Sequence, residues 1–324
     1  MRAPKPRLII VSPALKKANN GNWRTAHRWS QFLRPRCHVE IASDWPVDEE
    51  RRRDAPQLIA LHARRSASAV KRFADAHPSH PLIVVLTGTD LYGDLHIDAA
   101  ARRSLDLATQ LVVLQEAGLD ELQPEHRAKC RVIYQSARAM PPGTPNRHSF
   151  DVIMVGHLRP EKDPLTPMRA LSGLPDESAV RLIHIGEALD EDLLRAVREL
   201  QDHRWPSIRR YLWLGGRAHG ETRQRIRRAR ALVISSTMEG GANVIVEAVT
   251  SGVPVIASRI CGNVGMLGRD YDGYFAVGDV GELSALLARV STDESFLEHL
   301  RQQCAQRAPL FAPAREAAEV NALI

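Results

Sequence analysis

Leu232-Val233-Ile234-Ser235-Ser236-Thr237-Met238-Glu239-Gly240-Gly241-Ala242-Asn243-Val244-Ile245-Val246-Glu247 is the stretch whose reading decides the fold. A short apolar run ends, a glycine-rich turn follows, and a helical pattern begins. Gly240 and Gly241 allow a backbone to come close to a ligand. Amides at the start of the following helix carry the positive end of its dipole, which suits a diphosphate. Glu239 stands on the loop and Glu247 inside the helix, where a carboxylate accepts hydrogen bonds from sugar hydroxyls. The plainer alternative is a helix start with acidic residues complementing the dipole.

The same rhythm extends in both directions. Strand-like runs occur at Leu8–Val11, His38–Ile41, Leu58–Leu61, Leu82–Leu86, Leu111–Leu114 and Arg131–Tyr134, with helical patterns near 22–33, 66–76, 98–108 and 116–122. Residues 136–149 hold Pro141, Pro142, Gly143 and Pro145 without periodicity and read as a linker. The alternation restarts at Val152–Val155, Arg181–Ile185, Arg210–Leu214, Leu232–Ser235 and Val253–Ala257. Helices are expected near 164–172, 190–201, 220–229, 243–251, 279–290 and 294–304. Short apolar strands separated by helices predict parallel sheets covered on both faces. The chain therefore reads as α/β, with two doubly wound domains and a ligand cleft at the carboxyl ends of their strands. The expected boundaries are 1–148, 149–310 and a last helical segment, 311–324.

Composition fits this plan. The chain has 324 residues, 44% hydrophobic and 25% charged, which bounds it to about two domains and excludes global disorder. No apolar run reaches the roughly 18 residues of a membrane helix. Cys37, Cys130, Cys261 and Cys304 have no metal-type spacing, so reduced thiols and a cytoplasmic location are expected. Residues 1–148 hold 23 basic and 15 acidic residues, against 21 and 23 in the remainder. A basic first half points to anionic ligands.

A second loop carries chemistry: Val152-Ile153-Met154-Val155-Gly156-His157-Leu158-Arg159-Pro160-Glu161-Lys162-Asp163-Pro164. An Arg fork and a Lys point charge on one loop can neutralise a leaving diphosphate. A solvated charged turn is the alternative. Asp190-Glu191-Asp192 and Asp270-Tyr271-Asp272 fit a metal pattern but sit at a helix start and a turn. No metal and no cofactor are expected. The run Arg223–Arg230 reads as the solvated face of a helix, and Trp23 and Trp29 as core residues.

In this order, and followed by Ala248-Val249-Thr250-Ser251-Gly252-Val253-Pro254-Val255, the two loops resemble the retaining glycosyltransferases of family 4, of GT-B fold. The family pattern is Gly-Arg-Leu-x-x-Glu-Lys-Gly, then Glu-x7-Glu, then Ala-x-Gly-x-Pro-Val. The resemblance implies two Rossmann-like domains facing a central cleft, with the last helix crossing back to the first domain. It implies that Lys162 binds the donor diphosphate, with Arg159 the candidate second cation or, alternatively, a weaker phosphate site at His157. It implies that Glu247 binds the donor ribose, and that Glu239 with Gly240, Gly241, Ala242 and Asn243 lines the sugar and phosphate pocket. There are departures. His157 stands where the family has Arg, and Arg159 comes two residues later. The later Gly-Gly-x-Pro-Glu stretch is replaced near Cys261–Gly265. In the first half, His-Gly-Ser/Thr-Asp becomes Thr87-Gly88-Thr89-Asp90, without the imidazole.

These departures are similar to one subgroup, the selenosugar synthases of selenoneine biosynthesis. The matching stretches include Asn20-Gly21-Asn22, Leu58–Ser66 and Leu86–Tyr92. That resemblance implies transfer from a UDP-sugar, typically UDP-N-acetylglucosamine, to selenophosphate. The loops of Lys16, Gly21 and Asn22, of Arg64 and Arg65, and of Thr87 would hold the acceptor, with Asp90 and Glu239 as catalytic candidates. A pre-ionised nucleophile needs little general-base help, which tolerates the missing imidazole. An ordinary hydroxyl acceptor is the alternative. A nucleic-acid-binding protein and an idle sugar-nucleotide binder are competing classes. The expected partners are thus UDP-sugar and selenophosphate, with other pathway enzymes, and neither nucleic acid nor membrane.

Overall fold

The computed structural model describes residues 5–15, 21–45, 57–202 and 210–324. The chain divides into two units. One comprises Met1–Ser136, Glu239–Ala242 and Pro313–Ile324, and the other Ala137–Met238 and Asn243–Ala312.

The first unit is built on six strands: β1 Arg7–Val11, β2 His38–Ala42, β3 Gln57–Leu61, β4 Leu82–Leu86, β5 Gln110–Val113 and β6 Cys130–Val132. Their spatial order is β2-β1-β3-β4-β5-β6, every pair parallel. Strand residues alternate between two cores, as the two-residue period of a strand requires. Ile9, Leu58, Val84 and Val113 pack with Val70 and Phe73 of helix α2 (Ala67–Ala76) and Leu105 of α3 (Ala99–Leu107). Ile10, Ile59, Val85 and Val112 pack on the opposite face with Ala26, Trp29 and Leu33 of α1 (Gly21–Leu33). Strands covered twice need apolar residues at every position, and β4 is buried throughout.

The second unit repeats the principle with β7 Phe150–Val155, β8 Val180–Ile185, β9 Tyr211–Trp213, β10 Ala231–Ile234, β11 Val255–Ser258 and β12 Tyr274–Phe275. Its order is β12-β11-β10-β7-β8-β9, again parallel. The helices are α4 Leu165–Ala170, α5 Glu191–Asp202, α6 His219–Ile226, α7 Asn243–Val249, α8 Cys261–Leu267, α9 Val280–Thr292 and α10 Glu294–Arg307. Helix α11, Pro313–Asn321, belongs to the first unit. There the buried Glu316 accepts bonds from Arg28 Nε (2.7 Å), Trp29 Nε1 (2.8 Å) and Ser136 N (2.8 Å).

Several expectations are corrected. The division falls at Ser136, where the expected linker begins. The Pro-rich stretch lacks helix and strand but packs on the second unit: Met140 N donates to Thr250 O (3.2 Å) and Gly143 N to Arg227 O (2.7 Å). Arg223 is no solvated side chain. It is 8% exposed and donates to Arg138 O at 2.8 Å, and α6 ends at Ile226, before the rest of the arginine run. Trp29 is core, whereas Trp23 is half-buried and stacks on His27. Residues Glu116–Glu121 form a tight 3₁₀ turn. Helix α8 and strand β12 carry too little periodic signal to be foreseen.

Candidate functional site

In an open parallel sheet, ligands bind where strand order reverses, because the loops on either side part there. In the second sheet that point lies between β7 and β10. The loop after β7 contains Gly156–Asp163, and the loop after β10 contains Ser235–Glu239. They are fastened together: Ser235 Oγ lies 3.0 Å from Lys162 O and 2.8 Å from Asp163 O, and Thr237 N donates to Glu161 O at 3.0 Å. The two stretches singled out in the sequence thus meet at one place.

The Gly156 loop is pinned from behind. Buried His184 donates from Nε2 to Gly156 O (2.9 Å) and accepts at Nδ1 from the Tyr211 hydroxyl (2.8 Å). Burial pushes its pKa down to about 4, so the ring is neutral. A Cβ on Gly186 would stand 1.7 Å from Gly156 O, so only glycine fits. Glu187 N donates to His157 Nδ1 at 3.0 Å. Arg159 pairs with Glu161 at 3.0 Å, and the Lys162 stem runs beside Gly156. Asp163 adopts φ 42°, a left-handed conformation at the position where the family pattern has Gly. Aspartate is among the residues that tolerate it.

Glu247 of α7 is 6% exposed, and Nε2 of His219 donates to its Oε1 at 2.7 Å. His219 was not foreseen, because it lies on another helix and its sequence surroundings give no signal. The stretch replacing the family's Gly-Gly-x-Pro-Glu has a structural use. Buried Asn263 donates to Ser258 O (2.9 Å), and Ser258 Oγ donates to Ser236 O (2.6 Å). The Glu239–Ala242 segment groups with the first unit. A Cβ on Gly240 would meet Thr87 O at 2.3 Å, and one on Gly241 would meet Leu114 Cβ at 2.7 Å. The close approach these glycines permit is therefore to protein. Ala242 is buried and Asn243 opens α7.

The first sheet reverses between β1 and β3. Lys16, after β1, lies outside the described residues. Gly21 and Asn22 open α1, where Thr25 Oγ1 donates to Gly21 O and accepts from Gln135 Nε2. Beyond β3 and β4, the two loops share Asp90. It is fully buried and accepts at Oδ1 from Thr87 N (2.8 Å) and Gly88 N (2.9 Å), and at Oδ2 from Ala63 N (2.8 Å). Its carboxylate thus stitches backbone. Arg64 Nε pairs with Asp94 at 2.8 Å, and Arg65 is exposed. His62, absent from the sequence-based site, brings an imidazole to this loop: its Nε2 lies 3.0 Å from Thr89 Oγ1. The only sequence signal was a histidine directly after a buried strand.

Among the described residues, no group of three or more His, Cys, Asp or Glu could hold a metal ion. Asp190 caps α5 through Leu193 N, and Asp272 is bonded to His299 and Gln303. Likewise no described helix is long and apolar enough to cross a membrane.

The family model of group 1 glycosyl transferases matches residues 138–310, more than half of the chain. The chain belongs to the group 1 glycosyltransferases. Among curated relatives of this group 1 glycosyltransferase is the UDP-Gal:alpha-D-GlcNAc-diphosphoundecaprenol alpha-1,3-galactosyltransferase of Escherichia coli. It is 27% identical over 162 residues, which span 49% of this chain and 40% of that relative, less than half its length. Solved structures share the fold. Anabaena HepE in complex with UDP superposes with a TM-score of 0.82 at 18% identity, over 98% of this chain and 99% of that one. Sucrose-phosphate synthase from Thermosynechococcus elongatus gives 0.79 at 16%, over 99% and 98%. The two parallel-sheet Rossmann-like units are those of GT-B glycosyltransferases. Arg159, Lys162, Glu239–Asn243 and Glu247 lie inside the matched segment; Gly21, Asn22, Arg64, Arg65, Thr87 and Asp90 lie outside it.

Proposed function

We propose that this group 1 glycosyltransferase moves a sugar from a UDP-sugar, UDP-N-acetylglucosamine, to selenophosphate. The observation that carries the donor side is the pair of loops joined at the β7/β10 reversal, with Lys162 on one and Glu239 on the other. Lys162, with Arg159 or His157 on the same loop, neutralises the diphosphate. The Gly240–Asn243 backbone lines the sugar and phosphate pocket, and Glu247 takes the ribose hydroxyls. The UDP complex of HepE supports a uridine donor. Family 4 membership and the selenosugar subgroup rest on the motif resemblance.

The acceptor side belongs to the first unit. Arg64, Arg65, Thr87, Gly21 and Asn22, with Lys16, attract a small anion there. A selenium lone pair attacks the anomeric carbon, forming C–Se. The C–O bond to the diphosphate breaks, its electron pair leaves with UDP, and the P–Se bond is untouched in this step. Selenophosphate arrives ionised, so no proton must be removed. Asp90, bonded to three amides, then shapes the acceptor loop, and Glu239 borders the reacting sugar. The E. coli relative, whose name describes transfer to a sugar hydroxyl, favours the second reading: the same donor chemistry with a hydroxyl acceptor.

The test is incubation with UDP-sugars and either selenophosphate or hydroxyl acceptors, with mass spectrometry of the products. Arg64→Ala with Arg65→Ala should raise the KM of selenophosphate and leave that of UDP-sugar nearly unchanged. Equal loss of both would overturn the division of labour. Glycosylation of a lipid or sugar alcohol, with selenophosphate ignored, would favour the second reading.

A further inference from the structure

His62 is the first residue beyond β3. Its N–H still donates to Val85 O (2.8 Å), as a strand residue's would, and its carbonyl accepts from Ser66 N (3.0 Å). Between these bonds the backbone turns into the left-handed region, with φ 73°. Glycine or asparagine fills such a position at lower cost. Histidine is, with asparagine and aspartate, among the few side chains enriched there, and at this turn it carries a buried imidazole into the loop.

The ring is 1% exposed and bonded at both nitrogens. Arg65 N–H donates to Nδ1 at 3.3 Å, which leaves Nδ1 bare and the hydrogen on Nε2. Nε2–H therefore donates to Thr89 Oγ1 at 3.0 Å. Thr89 is exposed, and a hydroxyl that accepts one bond still has its own hydrogen to give. Among the described residues no acceptor takes it. The charged groups facing the ring are Asp90 (3.9 Å), Asp94 (3.8 Å), Arg64 and Arg65. Asp90 is occupied by three amides and Asp94 by Arg64, and both pull on the ring only from beyond hydrogen-bond distance. Burial lowers the pKa of His62 against the pull of Asp90.

We propose that His62 is a positioning residue for the acceptor: through Thr89 it aims a hydroxyl donor at a small tetrahedral oxyanion seated over the loops that follow β3 and β4. This rests on the reading that the first unit holds an anionic acceptor. His62 touches no substrate. It fixes the direction of a hydrogen that Thr89 alone would leave free to rotate. Arg65, whose amide the same ring holds, supplies charge from the same loop.

The test is steady-state kinetics with selenophosphate and UDP-N-acetylglucosamine on four variants of the full chain. Thr89→Val should raise the selenophosphate KM about tenfold, the worth of one hydrogen bond to an anion, while the KM of the UDP-sugar moves little. Thr89→Ser should restore it. His62→Asn, which suits the left-handed backbone, should raise the same KM to a similar degree. The double variant Thr89→Val/His62→Asn should be no worse than the worse single change, because the two residues act in series. A folded His62→Asn with unchanged acceptor KM, or an additive double variant, would overturn the proposal. Nitrogen-15 NMR of the wild-type protein gives an independent readout. The His62 imidazole should be the neutral Nε2–H form at pH 7; a cation or the Nδ1–H form would overturn the proposal. Should wild-type protein ignore selenophosphate, the acceptor reading fails by itself. Inorganic phosphate then becomes the probe. His62 signals that shift with phosphate in wild type but not in Thr89→Val sustain the positioning role, and unshifted signals end it.

Discussion

The two units share a plan and differ in how they hold their loops. The first reverses strand order between β1 and β3, the second between β7 and β10. These are the two common ways of winding an open parallel sheet. Each unit places one buried neutral imidazole behind a site loop. His184 is anchored in an ordinary backbone conformation by Tyr211 and Gly156 O, whereas His62 sits in a left-handed one. Around them the materials are shared in part. Both units bring backbones together through glycine: Gly186 on Gly156 in the second, and Gly240 on Thr87 in the first, leave no room for a Cβ. The first unit adds buried carboxylates, Asp90 on three amides and Glu316 on Arg28, Trp29 and Ser136. Close packing of glycines tolerates pH change but not added atoms. Carboxylate stitching tolerates shape change poorly, because each lost acceptor strands several donors.

The largest effect should come from the first unit. Glu316→Ala leaves Arg28 and Trp29 Nε1 without their buried acceptor, and losing one side of a buried pair costs about 3–5 kcal/mol. Denaturant unfolding measures it. A loss below about 1 kcal/mol, the scale of a surface pair, would break the claim that carboxylates fasten this unit.

The pH response of the second unit comes next. The folded-state pKa of His184, about 4, lies below its ordinary 6.5. Between those values the unfolded chain takes up a proton that the fold excludes. The contribution is thus fully present above pH 6.5 and lost as pH falls toward 4, by about 3 kcal/mol. His184→Gln should flatten that part of the stability profile. An unchanged slope would show that the imidazole behind Gly156 titrates normally.

Lys162→Ala should lower kcat/KM for the UDP-sugar about tenfold to a hundredfold, the worth of a charge-assisted bond, with little change in stability. Arg159→Ala and His157→Ala, measured beside it, decide which side chain is the second cation or donor of that loop. The smallest effect expected is none: turnover should survive EDTA if, as proposed, the loop cation and backbone donors stabilise the leaving diphosphate. Activity that collapses with chelator and returns with Mg²⁺ would reopen Asp190 and Asp272.

By itself the sequence determined the two parallel sheets, most of their strands and helices in chain order, and the two loops, after Val155 and after Ile234, that carry the candidate donor chemistry. The reason is local. A strand covered on both faces must be apolar at successive positions, and a turn that brings backbone close must be glycine, so both leave marks within a dozen residues. Tertiary structure alone decided the rest. His62 meets Thr89 across 27 positions, His219 meets Glu247 across 28, and Glu316 meets Arg28 across 288. It also decided that Arg223 is buried and that the chain divides at Ser136, where a backbone amide donates to Glu316 of the last helix. Such pairs obey no spacing rule. A buried polar group is satisfied by whichever neighbour the packing of apolar faces brings to it, and that neighbour is chosen by the whole fold.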